Sequence, residues 1–287
     1  MKFILGAKDP EMDMIENILM ESGHEIEYAE KNGIRCNPTN AYFMDNSIEN
    51  SITIECSVEN GKSDIDHHKK GDYGYDFDFR NFLEGSSIGQ MLKIILTEDN
   101  PLNFAEGEGR KNNMYYFDFK NQNWLLNVGD LTFIIPEDIV LVAALDHSSV
   151  FAYKGLCLGV EKEDILYNQL NDLKEKFSIP QEEFEGIKNM LLFCMDNSKK
   201  DSGIIDLTNL DLGENYSLEY LLVRELALFK EEAIAIIQKN TTYKKLMLIG
   251  VDSEFVESFV EEPVFSDFKL EKAFGVPNRF YAGALIC

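Results

Sequence analysis

The sequence predicts an α/β protein with a largely parallel sheet flanked by helices, followed by a smaller, helix-rich α/β region. Three observations carry this. Short β-branched runs alternate with stretches of helical periodicity in the first half of the chain. Polar residues gather where the strand-like runs end, as in Gly6-Ala7-Lys8-Asp9-Pro10 and Asp64-Ile65-Asp66-His67-His68. After about Gly159 the pattern becomes mostly helical, which places a boundary between residues 1–158 and 159–287.

Residues 2–5 read as a short buried strand ending at the turn Gly6–Pro10. A helix follows, because Met14, Ile15, Ile18 and Leu19 recur at helical spacing before Ser22-Gly23 stops it. Glu25–Tyr28 returns as a strand, whereas Thr39–Asn46 carries little signal. Ile52–Val58 is a strand by its β-branched content, and Ser63–His67 is a short one after it. Gly85-Ser86-Ser87 opens a helix: a serine caps the free backbone N–H groups, and Ile88, Met91, Leu92, Ile95 and Leu96 form one apolar face. Residues 99–130 are polar, aromatic and glycine-punctuated, which suggests an insertion or loop-rich hairpin. Asp138–Leu145 is an apolar run closing on Asp146-His147. Beyond the boundary, Ile165–Phe177 and Glu182–Cys194 are amphipathic helices separated by Ser178-Ile179-Pro180. Leu218–Lys239 is a long helical pattern, and Lys245–Gly250 and Phe280–Ile286 are strands.

Composition narrows the class. The 287 residues are 45% hydrophobic and 27% charged, as in a globular protein with a full core. No run of about 18 apolar residues is present. The N-terminal Phe3-Ile4-Leu5 meets Asp9 and Glu11 too early for a signal peptide, so the expected location is cytoplasmic, with no membrane partner. Five cysteines, odd in number and without a CxxC spacing, fit reduced thiols better than a disulfide framework. The net charge of −24 argues against binding long nucleic acid, which needs Lys and Arg to neutralise phosphates.

The chemistry centres on Asp66-His67-His68. The chain has four histidines; two are adjacent here behind an aspartate, and His147 directly follows Asp146. Imidazole nitrogen together with carboxylate oxygen suits a divalent transition metal such as Mn²⁺, Fe²⁺ or Zn²⁺.

These pieces together resemble the DHH phosphoesterase superfamily, over roughly residues 1–150. Its first motif has the form His-Asn-Pro-Asp-Gly-Asp-Ala after the opening strand, and here that place reads Lys8-Asp9-Pro10-Glu11-Met12-Asp13-Met14. The proline and the last carboxylate match, Glu11 stands where an aspartate is usual, and Lys8 replaces the histidine. The second motif, an acidic residue ending an apolar strand, is matched by Glu55. The third is the Asp66-His67-His68 triplet, followed by Ser86-Ser87 as the small hydroxyl residues that open a helix. The fourth, an aspartate after another apolar strand, is matched by Asp146.

The resemblance implies a metal set of Glu11, Asp13, Glu55, Asp66, His67 and Asp146. Mn²⁺ is the leading ion, with Mg²⁺ or another transition metal as alternatives. It implies catalytic roles for His68, Asp66 and Lys8, and contacts from His68, Lys69, Lys70 and Arg279 to a small phosphate-containing substrate such as a nucleotide. Lys8 would neutralise a phosphate, or its charge would stand in for one ion. Arg279 is placed by analogy with a second, substrate-binding domain, whose glycine run this chain lacks. The implied activity is metal-dependent hydrolysis of a phosphodiester or phosphoanhydride in a small nucleotide or oligonucleotide. Two other readings remain: a degenerate DHH-fold protein that binds or sequesters a nucleotide, and an acidic DNA-mimic-like inhibitor of a basic partner. A homodimer is left open.

Overall fold

The computed structural model describes residues 1–287 except 39, 97–113, 213–216, 240–242, 277–279 and 287. Internal contacts divide the chain into two compact units. The first comprises Met1–Ala152 with Leu156–Val160, the second Tyr153–Gly155 with Glu161–Cys287.

In the first unit, strand β1 (Lys2–Leu5) buries Phe3, Ile4 and Leu5 and leads into helix α1 (Pro10–Glu21). Asp9 starts that helix by accepting the Met12 N–H at 2.7 Å, and Pro10 loses nothing there because its missing N–H would have had no helical partner. Met12, Ile15 and Leu19 form the buried stripe, and Ser22 ends the helix. Strand β2 (Glu25–Tyr28) then pairs parallel with β1. A small hairpin, β3 (Glu30–Lys31) and β4 (Ile34–Arg35), precedes β5 (Ser51–Ile54), which pairs parallel with the other side of β1. The sheet order is β2-β1-β5.

The parallel sheet is therefore small, three strands rather than a large layer. The strand predicted over Ile52–Val58 stops at Ile54, because Glu55 adopts a left-handed backbone (φ 52°) that breaks the ladder. Ser63–His67 contributes only a parallel bridge from Ile65 to Ile54.

Helices α2 (Phe82–Gly85) and α3 (Ser87–Ile95) follow, with Ser86 capping α3 by accepting the Gly89 N–H. Helix α3 packs on α1. Strands β6 (Met114–Asp118), β7 (Asn123–Val128) and β8 (Leu131–Ile134) make an antiparallel meander that begins in the region read as a loop-rich hairpin and ends just beyond it. Its earlier part, 99–113, lies outside the described residues. Helix α4 (Glu137–Tyr153) stands where a strand is expected to lead to the fourth motif. A continuous apolar run fits a buried helix as well as a buried strand. The acidic pair Glu137-Asp138 after Pro136 is a helix start, and Ala143-Ala144 favours helix over sheet.

In the second unit, α5 (Lys162–Phe177) and α6 (Gln181–Asn197) pack on α7 (Leu218–Phe229). The long helical pattern read over Leu218–Lys239 breaks after Phe229. Glu231 turns left-handed (φ 56°), and the β-branched Ala233–Lys239 becomes strand β11. With β9 (Lys200–Asp201), β10 (Ile204–Asp206), β12 (Lys244–Ile249), β13 (Leu270–Val276) and β14 (Tyr281–Ile286), it forms a six-stranded sheet of order β13-β14-β12-β11-β10-β9. Only β10–β11 is parallel. The region read as helix-rich thus holds the larger sheet. One face carries helix α8 (Ser253–Glu261), where Val256 and Phe259 pack on Ala235, Leu246, Leu248, Ala282 and Ala284. Each fully buried Leu or Phe contributes roughly 1.5–3 kcal/mol, so apolar burial is a large part of what holds this helix on the sheet. Among the described residues, no helix is long and apolar enough to cross a membrane.

Candidate metal centre

The chain leaves β1 towards β2 on one side and reaches β5 on the other, so the carboxyl ends of β1 and β5 flank the point where the strand order reverses. In open parallel sheets that crevice is where ligands sit. Gly6 lets the two strand ends close up: its N–H donates to Ile54 O at 2.9 Å, and a Cβ there would lie 2.5 Å from Glu55 O. Asp9 and Glu11 follow β1, Glu55 follows β5, Asp66-His67-His68 follows the Ile65 bridge, and Asp146 comes from α4.

Ligand atoms of Glu11, Glu55, His67 and Asp146 lie within 4.8 Å of one another. His67 is buried, with its Nε2 facing Asp146 Oδ2 at 2.8 Å and its Nδ1 facing Glu55 Oε1 at 3.9 Å. The Ser87 hydroxyl donates to Glu55 Oε1 at 2.7 Å and lies 3.4 Å from His67 Nδ1. Glu11 Oε1 accepts the Ile88 N–H at 2.9 Å, so the start of α3 orients two of the carboxylates. His147 stands edge-on to His67 with ring centroids 5.3 Å apart, and its Nε2 lies 2.9 Å from Phe77 O. The two α4 residues enter the site beside a break in the helix, where Ser148 has φ −144°. Close packing fixes the His67 ring as well: a Cβ on Gly74 would lie 2.0 Å from Gly85 O and 2.6 Å from His67 Cβ.

Asp66 does a different job. Its Oδ1 accepts the His67 N–H at 2.8 Å and the His68 N–H at 3.0 Å, and pairs with His68 Nδ1 at 3.0 Å. Its Oδ2 accepts from Tyr42 Oη at 2.6 Å. His68 stacks on His67 with 34% of its side chain exposed, and Glu55, His67 and His68 form a second set of ligand atoms that overlaps the first.

The structure brings together four residues of the predicted metal set, Glu11, Glu55, His67 and Asp146, with Asp66 and His68 beside them. It does not bring in Asp13 or Lys8. Lys8 is exposed and Asp13 half-buried, and the two pair with each other at 3.4 Å. The reason is helical geometry: α1 begins at Pro10, so Glu11 and Asp13 are two residues apart on a helix and face opposite sides. Asp146 arrives on a helix rather than at a strand end. Lys69 lies over the Tyr42 ring, 3.1 Å from its centroid, and Lys69 and Lys70 are both exposed. Arg279 lies outside the described residues. Sequence reading passed over Asp9, Ser87 as a contact of Glu55, and Tyr42. Asp9 carried a signal, since an acidic residue before a proline at the end of a strand combines a helix cap with a place at the sheet's ligand edge.

Charge dominates this site. Two carboxylates about 4 Å apart repel by roughly 4 kcal/mol at an effective dielectric near 20. Burial, then the charges of Asp146 and Glu55, pushes Glu11 well above the ordinary carboxylate range. Burial also raises Glu55, against the opposing pull of His68 and His67. Asp9 is raised to about 7 by burial and by the charges of Glu55 and Asp146. Burial pushes Asp146 upward too, but the charge and hydrogen bond of His67 outweigh it and hold the carboxyl below its usual value. For His68, burial is outweighed by the Asp66 hydrogen bond and the charges of Glu55 and Asp146, which raise it to about 9.

These residues fit a divalent cation. Glu11 is 2% exposed, and its Oε2 has no hydrogen-bond partner among the described residues. A buried acceptor of that kind costs about 1–3 kcal/mol unless something satisfies it. Three carboxylates and one imidazole, converging from four separate segments, could hold one such ion. Compared with known proteins, the chain matches no family model, no curated protein and no solved structure.

Proposed function

We propose that this protein is a divalent-metal-dependent hydrolase of phosphoester or phosphoanhydride bonds, of the DHH type, acting on a small nucleotide or oligonucleotide. The observation that carries the reading is the convergence of Glu11, Glu55, His67 and Asp146 within 4.8 Å at the ligand edge of a parallel sheet. A bound divalent ion, Mn²⁺ being the leading choice, supplies Lewis acidity toward a phosphoryl oxygen and lowers the pKa of a coordinated water.

The protein's own groups do the rest. Glu11, Glu55, His67 and Asp146 hold the ion. Ser87 keeps Glu55 turned inward through its 2.7 Å hydrogen bond. His68 is pinned by Asp66 through its Nδ1, and its solvent-accessible edge can, when protonated, neutralise a phosphate oxygen or donate a proton to a leaving group. The net charge of −24 favours a small substrate over a long polyanion.

A second reading has one observation behind it. Lys8 and Asp13, which the family resemblance assigns to the first motif, pair with each other on the surface away from the cluster. A protein that keeps the metal and binds a nucleotide without turnover would look the same.

The test is a screen of phosphodiester, pyrophosphate and nucleotide compounds with added Mn²⁺. Hydrolysis that requires the metal and is lost in His67→Ala and Glu55→Gln supports the hydrolase. Tight nucleotide binding with no product in any condition supports the second reading, and neither binding nor product defeats both.

A further inference from the structure

We propose, resting on the metal reading above, that the centre is mononuclear: one divalent ion per chain, held by Glu11, Glu55, His67 and Asp146, with Asp66 positioning His68 instead of ligating metal. Asp66 belongs to neither set of converging ligand atoms. Its Oδ1 accepts the His67 N–H and the His68 N–H and pairs with His68 Nδ1, and its Oδ2 accepts the Tyr42 hydroxyl, so the carboxylate is committed to holding the Asp66–His68 turn and the His68 ring.

The second ligand set, Glu55, His67 and His68, draws two of its three members from the first. The ligand that belongs to it alone is His68, whose Nδ1 is engaged by Asp66 at 3.0 Å. An ion there would share both Glu55 and His67 with the first set and add His68 alone. Asp13, which the resemblance assigns to the metal set, is turned to the surface with Lys8. Glu11 differs from all of these. It is buried, with one oxygen lacking a hydrogen-bond partner among the described residues, and it belongs to the first set alone. The ligands available thus complete one coordination sphere and leave a second short.

The experiment reads metal directly. Protein stripped with chelator is loaded with excess Mn²⁺, desalted, and its metal content measured by plasma mass spectrometry, while a Co²⁺ titration is followed by visible absorption. The expected result is one Mn per chain and a single break in the Co²⁺ titration. Glu11→Gln and Asp146→Asn should weaken Co²⁺ binding by at least about tenfold. Asp66→Asn and His68→Ala should each retain one ion per chain; using both guards against one of them failing to fold. Two ions in the parent protein, falling to one in either of those variants, overturns the mononuclear centre and leaves the metal reading intact. No retained ion in the parent protein overturns both.

Discussion

The two units put polar groups to opposite uses. Among the described residues, the buried polar side chains of the first unit include Glu11, Glu55, Asp66, His67, Ser86, Ser87, Gln90 and Lys93, whereas the second unit buries only Thr208 and Glu225. Glu225 is paired on both oxygens, to the Tyr153 hydroxyl at 2.7 Å and to Arg224 at 2.6 Å. Glu11 in the first unit keeps a buried oxygen without a hydrogen-bond partner among the described residues, and Asp146 Oδ2 is turned inward against His67 Nε2 at 2.8 Å. The buried acid of the second unit is paired on both oxygens, whereas several acids of the first unit converge beside the smaller sheet. What marks a site here is incomplete satisfaction at a reversal of strand order; the size of the sheet does not.

The strongest way to break the contrast is to remove one buried group from each unit. His67→Ala should abolish Mn²⁺ retention, read by metal analysis after desalting. Glu225→Ala should leave retention unchanged but lower stability by about 1–3 kcal/mol, because the buried Tyr153 hydroxyl loses its acceptor; urea unfolding measures this. Equal metal loss in both variants would erase the distinction between the units.

Next in size is the response to pH. Asp9 has an ordinary value of 3.8 and is raised to about 7 in the fold, so between those values the native state binds the extra proton. Native stability must then fall as pH rises through that window. Glu11 and Glu55 are raised as well and act in the same direction. His68, raised from 6.5 to about 9, stabilises fully below 6.5 and loses that contribution as pH climbs through about 9. Asp146 is lowered, so its contribution is lost only in acid below 3.8. Metal-free protein should accordingly melt lower at about pH 8 than at about pH 6, and the Tm gain on adding Mn²⁺ should be larger at the higher pH. A gain that is the same at both values would remove these groups from the site's energetics.

A smaller effect sharpens the role of Ser87. Its hydroxyl touches both Glu55 and His67, so Ser87→Ala should weaken Mn²⁺ binding by about tenfold without unfolding the protein, as isothermal calorimetry would show. Smallest of all is the surface pair. Lys8→Ala should change stability by only about 0.2–1 kcal/mol and leave metal affinity unaltered, since the Lys8–Asp13 contact is exposed. A marked loss of metal in that variant would return Lys8 to the centre.

Much of the cluster was legible because its chemistry is written in residue type. Asp66-His67-His68, Glu55 and Asp146 stand out as acids and imidazoles at the ends of apolar runs. What could not be read was which way each side chain turns. Glu11 and Asp13 look equivalent in the sequence, and the position of the first helical residue alone sends one inward and the other to solvent. Asp9 resembles any helix cap and is one, yet it also sits among the charges of Glu55 and Asp146. The run Asp138–Leu145 misled because full burial erases the periodicity that separates strand from helix. The sheet of the second unit was understated because the β11 segment follows α7 after only a short turn at Lys230-Glu231-Glu232, so helix and strand blend into one apolar stretch.

Glu55 combines a left-handed torsion with burial among other acids. Glycine adopts that torsion without a steric penalty and would bring no charge to be desolvated. Backbone conformation alone would therefore favour glycine at this position, and the proposed cation site is what gives a carboxylate there its use. Residue 55 is where the demands of a durable fold and of a working pocket part company, so a sequence drifting toward greater thermal endurance would be expected to give up its pocket there first.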